Sequence, residues 1–202
     1  MKVVIGVPSG DMLHADFAMR LCNLVLYSAS QGIQVAIVNP KFSLLEIGRC
    51  EIALQAAKAG ADKVLFLDSD MLFPHDALLI LLQYGLDIIG CDAVRRRAPH
   101  TSVLLDTFGK PIDHKTTSGV IEVSRLSTAC LLVDMKVFDK IDMPAFKVEW
   151  DAEKKQFTGE DYYFSKQCLK HGFKLHCCTD LSKDIGHMGV SAHYVPKYNP
   201  MN

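Results

Sequence analysis

Short apolar runs alternate with longer segments of helical periodicity through the first half of the chain. Residues 2–7, 35–38 and 64–67 are apolar runs of the length shown by strands that are buried on both faces. Between them, apolar residues recur at helical spacing, first from Leu13 to Val25 and then across 45–59. The order strand, helix, strand, helix, strand predicts parallel strands joined by right-handed crossovers.

The second half shows shorter and less regular elements. A helix is predicted from Pro74 to about Tyr84, and a further helix over 162–170 ends before Gly172. Short pieces that alternate or run apolar predict strands at 87–91, 103–106, 119–126, 129–133 and 174–178. The irregular spacing of these pieces indicates mixed or antiparallel strands in this half.

Composition and charge narrow the class of protein. The chain has 202 residues, 49% of them hydrophobic, and a formal net charge of −1. This composition predicts one domain over 1–202. The order of strands and helices predicts a nucleotide-binding half over 1–91 and a second half over 92–202, with a mobile tail over 191–202. The near-zero charge gives no general attraction to nucleic acid or to an anionic membrane, and no segment is long enough to span a bilayer.

The cysteines and the amino terminus bear on the compartment. The seven cysteines are odd in number, scattered and without a CxxC spacing, so they predict reduced thiols and not a disulfide framework or a zinc site. Met1–Val7 passes directly into a predicted strand and shows neither the apolar region nor the cleavage site of a signal peptide. Both features predict a cytoplasmic protein.

The strand at 64–67 is followed by Asp68-Ser69-Asp70, at the edge of the sheet where ligands of open α/β sheets collect. In a continued strand the two carboxylates would share one face, and at about 4 Å their repulsion would be roughly 4 kcal/mol for an effective dielectric constant near 20. A divalent cation removes this repulsion, and hard oxygen ligands suit Mg²⁺ or Mn²⁺. Two solvated loop aspartates, one of them capping the next helix, are the alternative.

Three further groups are candidates for chemistry. Glu160 and Asp161 follow Gly159 at the predicted start of a helix, where the helix dipole by itself also explains carboxylates. His187 lies in a glycine-flanked turn and is either a packed histidine or a metal ligand. The arginine run that begins at Arg95 is either a solvated face or a bidentate contact for phosphate or a sugar carboxylate.

Taken in chain order, these residues resemble glycosyltransferases of the GT-A fold, which move a sugar from a nucleoside diphosphate to an acceptor. The resemblance covers nearly the whole chain: the Asp-x-Asp at 68–70 after an apolar strand, the Gly-Glu-Asp at 159–161 before a helix, and His187 beside a glycine. It implies a Rossmann-like nucleotide-binding half with a mostly parallel central sheet, and a mixed or antiparallel half on the acceptor side.

The resemblance also implies roles for individual residues. Asp70, and Asp68 directly or through water and ribose, would engage a manganese or magnesium ion on the diphosphate. His187 would complete the metal shell. Glu160 and Asp161 would lie beneath the reacting sugar as the catalytic carboxylates.

Other matched positions concern the nucleotide and the donor sugar. The residues expected at the nucleotide are Pro8, Ser9, Gly10, Asp11, Arg49, Asp68 and Ser69. The residues expected at the donor sugar or the acceptor are Arg95, Ala129 and Gly159, with Ala129 standing where the family commonly has a glycine. Larger branches of the family carry an acidic residue after the second strand, where this chain has Asn39-Pro40. The resemblance therefore does not indicate which nucleotide base is bound.

The predicted function is therefore sugar transfer from a nucleotide sugar, most simply a UDP-sugar, to a carbohydrate, glycan or glycoprotein. We favour inversion with Asp161 as general base, although the acidic pair also fits retention. One alternative is a sugar-nucleotide-binding protein that lacks catalysis. The other is a haloacid-dehalogenase-type phosphatase, whose Asp-x-Asp normally opens the domain and continues with a threonine; here Met71-Leu72 follow.

Overall fold

The amino-terminal half is a parallel unit of three strands and two helices. A computed structural model of the chain describes residues 1–94, 102 and 104–189. The first elements are β1 (Lys2–Gly6), α1 (Ala15–Ser30), β2 (Gln34–Val38), α2 (Leu45–Lys58) and β3 (Lys63–Leu67). Because β1 pairs in parallel with both β2 and β3, the predicted parallel arrangement of this half is confirmed.

The remaining elements are shorter. In chain order they are β4 (Met71–Leu72), α3 (Ala77–Leu82), β5 (Ile88–Gly90), β6 (Val120–Val123), β7 (Cys130–Asp134), α4 (Met135–Phe138), β8 (Glu149–Asp151), β9 (Gln156–Thr158), α5 (Glu160–Lys170), β10 (Leu175–Cys178), α6 (Thr179–Ser182) and β11 (Gly186–His187). The strand predicted at 103–106 is reduced, in the described residues, to isolated bridges at Leu105 and Asp106. Among the helices in the described part of the chain, none is long and apolar enough to cross a membrane.

One central sheet runs through both halves of the molecule. Within residues 1–94, 102 and 104–189 it has seven strands in the order β2-β1-β3-β7-β5-β10-β6. Five of them point the same way, whereas β7 and β6 run antiparallel to their neighbours. The sheet is therefore mostly parallel, with antiparallel strands in the second half, as the sequence predicted.

Both faces of the sheet are buried, because successive residues of a strand point to opposite faces and the central strands are apolar throughout. On β3, Leu65 packs on the face covered by α1 and α3, and Phe66 packs on the face covered by α2, α4 and α5. Helix α2 lies so close to β1 that a Cβ atom at Gly6 would stand 2.2 Å from Ile52 Cγ2. The glycine therefore permits the contact that holds α2 against the sheet.

Candidate functional site

A tight turn follows β3 and separates the two aspartates of the Asp-x-Asp. The strand ends at Leu67, and the Met71 amide donates to the Asp68 carbonyl over 3.2 Å, which closes the turn. The Asp68 amide donates to the Ala129 carbonyl at 3.0 Å, so the turn is anchored at the start of β7. Asp68 and Asp70 therefore do not share a strand face, and each carboxylate has a partner of its own.

Asp70 lies beside His187 because β4 pairs with β11. In this antiparallel pair Met71 stands opposite His187, and the Met188 amide donates to the Asp70 carbonyl at 2.8 Å. The imidazole Nε2 lies 3.5 Å from Asp70 Oδ2, and its Nδ1 lies 2.9 Å from the Val94 carbonyl oxygen. A carbonyl oxygen only accepts, so Nδ1 donates to it, and Nε2 is the ring nitrogen that faces the Asp70 carboxylate.

The Asp70–His187 pair fits two ligands of a divalent cation. A carboxylate oxygen and an imidazole nitrogen are both ordinary ligands of divalent cations. Ligand atoms that each lie about 2.1 Å from one octahedral ion are about 3 Å apart, which is close to the separation of this pair. In the part of the chain that the structure describes, no group of three or more His, Cys, Asp or Glu side chains could hold a metal ion. Mg²⁺ is commonly bound by one or two protein side chains and completes its shell with water and phosphate oxygens.

A buried arginine holds Asp68. The side chain of Arg49, on α2, is only 3% exposed. Its guanidinium donates to Asp68 Oδ1 at 2.7 Å and also to Glu160 Oε1. One cation therefore ties the carboxyl end of β3 to the first turn of α5.

Asp161 is the next residue in that first turn of α5, and it is half-buried. Its Oδ1 accepts a hydrogen bond from the Tyr162 amide at 2.8 Å. Burial, and after it the negative charge of Glu160, raise the pKa of Asp161 from 3.8 to about 6. Such a carboxylate is ionised at neutral pH and takes up a proton more readily than an ordinary aspartate, as a general base requires.

The loop after β1 forms a small cavity beside the start of α2. The cavity has a volume of about 140 Å³, and its lining includes Pro8, Ser9, Gly10, Pro40 and Gly48. Asn39 stabilises the loop, because its Nδ2 donates to the Val7 carbonyl at 2.6 Å and to Ser9 Oγ at 2.8 Å. Asp11 points into solvent, 3.6 Å from Lys41. Asn39 therefore has a structural role in this loop.

The remaining predicted residues are placed as follows. Ser69 lies within the turn after β3, and Ala129 is buried behind that turn. Gly159 is the residue before α5, and a Cβ atom there would stand 3.0 Å from Asp161 Oδ1. Arg95 and the predicted tail at 191–202 lie outside the described residues.

Two neighbouring features were not predicted from the sequence. Asp92, which follows β5, is buried, and its Oδ2 lies 2.7 Å from Nε2 of His114. Trp150 and Phe157 stand opposite each other on the β8–β9 hairpin. No short sequence pattern predicts either feature. Asp92 and His114 are 22 residues apart in the chain. The hairpin turn has Lys155, at φ 49°, at a position where a glycine is usual.

Replacing Arg49 by Met is expected to lower the free energy of unfolding by about 3–5 kcal/mol, because it leaves two partly buried carboxylates without their shared cation. Urea denaturation measures the change. Lys174→Met is the control: Lys174 pairs with Glu122 at the same 2.7 Å, but in solvent, where ion pairs contribute little. Equal stabilities of the two variants would contradict a structural role for Arg49.

Comparison with known proteins supports the fold. No protein-family model matches the sequence, and no curated protein matches it. Among solved structures, the protein A197 from STIV matches with a TM-score of 0.59 and 13% sequence identity. The match covers 98% of this chain and 100% of A197. A mutant Drosophila β-1,4-galactosyltransferase 7, solved with manganese, UDP-Gal and xylobiose, matches with a TM-score of 0.54 and 14% sequence identity. The match covers 94% of this chain and 71% of the galactosyltransferase chain.

At these identities the likeness concerns the fold. The chain is a single domain with a mixed α/β, GT-A-like fold, which confirms the fold class expected from the sequence.

Proposed function

We propose that this protein transfers a sugar from a nucleoside diphosphate sugar, first of all a UDP-sugar, to a hydroxyl group of a carbohydrate, glycan or glycoprotein, with Mn²⁺ or Mg²⁺ as cofactor. The observation that carries the proposal is the pairing of β4 with β11, which sets His187 beside Asp70, just after β3 in the interior of a GT-A-like sheet. The manganese, UDP-Gal and xylobiose of the galactosyltransferase structure support the same classes of cofactor, donor and acceptor.

In this proposal Asp70 and His187 hold the cation, and Asp68 and Ser69 contact the nucleotide together with the loop from Pro8 to Asp11. When bound, the cation would supply positive charge to neutralise the departing diphosphate. Arg49 serves the nucleotide indirectly by holding Asp68, because its own side chain is almost fully buried.

Asp161 is the proposed general base. It takes the proton of the acceptor hydroxyl while the acceptor oxygen bonds to the anomeric carbon of the donor sugar. The bond between that carbon and the diphosphate oxygen breaks, and its electron pair leaves with the nucleotide. Attack opposite the leaving group inverts the anomeric carbon. Glu160 assists, because its charge contributes to the raised pKa of Asp161.

Turnover tests the proposal. With Mn²⁺, we expect the protein to release UDP from at least one of a panel of UDP-sugars, slowly by hydrolysis and faster when an acceptor is added. Proton NMR of the product should show an inverted anomeric carbon, and EDTA should abolish release. Binding of UDP-sugars without any release would indicate a sugar-nucleotide-binding protein, and a retained anomer would exclude Asp161 as the base.

The proposed compartment is the cytoplasm. All seven cysteines carry free thiols, and five of them are buried. Reduced, packed thiols are typical of proteins in a reducing compartment, which supports the proposal.

A further inference from the structure

A groove runs between the β8–β9 hairpin and one side of α5. Its volume is about 860 Å³, within the range of about 300–1,000 Å³ that small-molecule sites occupy. Tyr162, Lys166 and Leu169 line it at helical spacing along α5, and Gly159 lies at the end of that row. The groove therefore reaches to within two residues of Asp161, the proposed base.

Two aromatic rings of the hairpin lie in this groove and face solvent. Trp150 is 56% exposed and Phe157 is 72% exposed. Their rings pack edge to face across the two strands, with centroids 5.0 Å apart, which orders the pair and leaves its outer surface open. An exposed apolar surface bordered by polar side chains marks a binding site more often than a scattered hydrophobic residue does.

The charges of the groove favour a neutral ligand. Three basic and three acidic side chains line it: Arg125, Lys154, Lys166, Glu149, Asp151 and Glu153. Lys154 lies 3.6 Å from Asp151, and Lys166 lies 3.9 Å from Glu149. Because these charges balance, the groove gives no field for an anionic polymer, while its polar groups offer donors and acceptors for hydroxyls.

We infer that this groove binds a neutral oligosaccharide, which is the acceptor of the proposed transfer. The apolar faces of the sugar rings stack on Trp150 and Phe157, the hydroxyl edges bond to the paired charged groups, and the reacting end reaches Asp161 past Gly159. The volume suits a ligand of several rings and not a single sugar. The acceptor role rests on the proposed function, whereas the binding of the oligosaccharide does not.

Trp150 is the only tryptophan of the chain, so its fluorescence reports on the groove. We expect a saturable change in emission on titration with at least one of cellotetraose, xylotetraose, maltotetraose and chitotetraose. Phe157→Ala should weaken that affinity about tenfold to a hundredfold, as truncation of a central aromatic contact does. Phe108→Ala is the matched control, because Phe108 is 87% exposed and is not among the residues that line the groove.

The titration needs neither donor nor metal, so its outcome is separate from that of the proposed function. Calorimetry of UDP and Mn²⁺ on the same protein tests the donor site. Binding of UDP with no response of Trp150 to any of the four oligosaccharides would overturn the inference and leave the transfer proposal standing. Oligosaccharide binding without UDP binding would support the groove as an oligosaccharide-binding site and would overturn its role as the acceptor site. Self-association in light scattering that Phe157→Ala abolishes, without sugar binding, would identify an interface between copies and overturn the inference.

Discussion

Asp161→Asn is expected to lower the turnover of the proposed transfer by about 100- to 10,000-fold, which is the usual contribution of a general base. Asparagine has the shape of aspartate but cannot take a proton from the acceptor hydroxyl. Steady-state release of UDP with donor and acceptor measures the loss. Asp16→Asn is the control, because Asp16 is also an acidic residue in the first turn of a helix, yet it is exposed. A loss of less than tenfold would exclude the base assignment.

The pH dependence of the same reaction gives an independent check. The base must be ionised, and the pKa of Asp161 is about 6. The kcat/KM of the wild-type protein is therefore expected to rise with pH, to be half-maximal near pH 6 and to level off above about pH 7. The residual activity of Asp161→Asn should lack this step. A flat wild-type profile from about pH 5 to 7.5 would contradict the assignment.

The same substitution is expected to stabilise the fold at neutral pH. The pKa of Asp161 is 3.8 when unfolded and about 6 when folded, so the native state binds more protons between these values and stability falls as pH rises through them. Asp161→Asn removes this penalty, which is at most about 3 kcal/mol above pH 6. Thermal unfolding should show a higher Tm for the variant at about pH 7.5 and equal Tm values near pH 3.5. A variant that is more stable and less active would indicate that Asp161 is kept for chemistry.

The parallel half of the fold could be predicted because its signals are local. The strands are short apolar runs, the helices have helical spacing, and the strand connections follow from handedness alone. The predicted helix over 45–59 corresponds to Leu45–Lys58 in the structure. In the second half, the predicted strands at 87–91, 119–126, 129–133 and 174–178 correspond to β5, β6, β7 and β10. Their order in the sheet was not predicted, because it joins distant segments: β7 inserts between β3 and β5, and β10 pairs with β6.

The candidate site shows the same limit. The sequence marked Asp68 and Asp70 by their place after a strand, but not the turn that directs them to different partners. Arg49 lies 19 residues before Asp68 and 111 before Glu160, so no spacing rule could indicate that it bridges the two carboxylates. A guanidinium can bond two carboxylates at once, and burial makes this arrangement obligatory; both facts need the tertiary structure.

Asp70→Ala is expected to weaken manganese-dependent binding of UDP by about a hundredfold or more, because it removes a carboxylate that would otherwise neutralise the cation directly. In the wild-type protein, calorimetry should show UDP binding with Mn²⁺ and none with EDTA, since the phosphates would otherwise face Asp70 without a cation between them. Asp68→Ala should weaken binding less, because the Asp68 carboxylate is already held by Arg49. Undiminished UDP affinity in EDTA would contradict the proposed cofactor.

His187→Ala separates a metal ligand from a packed histidine. We expect the Mn²⁺ concentration needed for half-maximal UDP binding to rise about tenfold or more. The Tm should change little, because the β4–β11 pairing is made by backbone groups that the substitution leaves in place. His14→Ala is the control, since His14 is exposed and its side chain makes no capping hydrogen bond to α1. A large fall in Tm with an unchanged Mn²⁺ requirement would instead show that the imidazole serves the fold, through its hydrogen bond to the Val94 carbonyl.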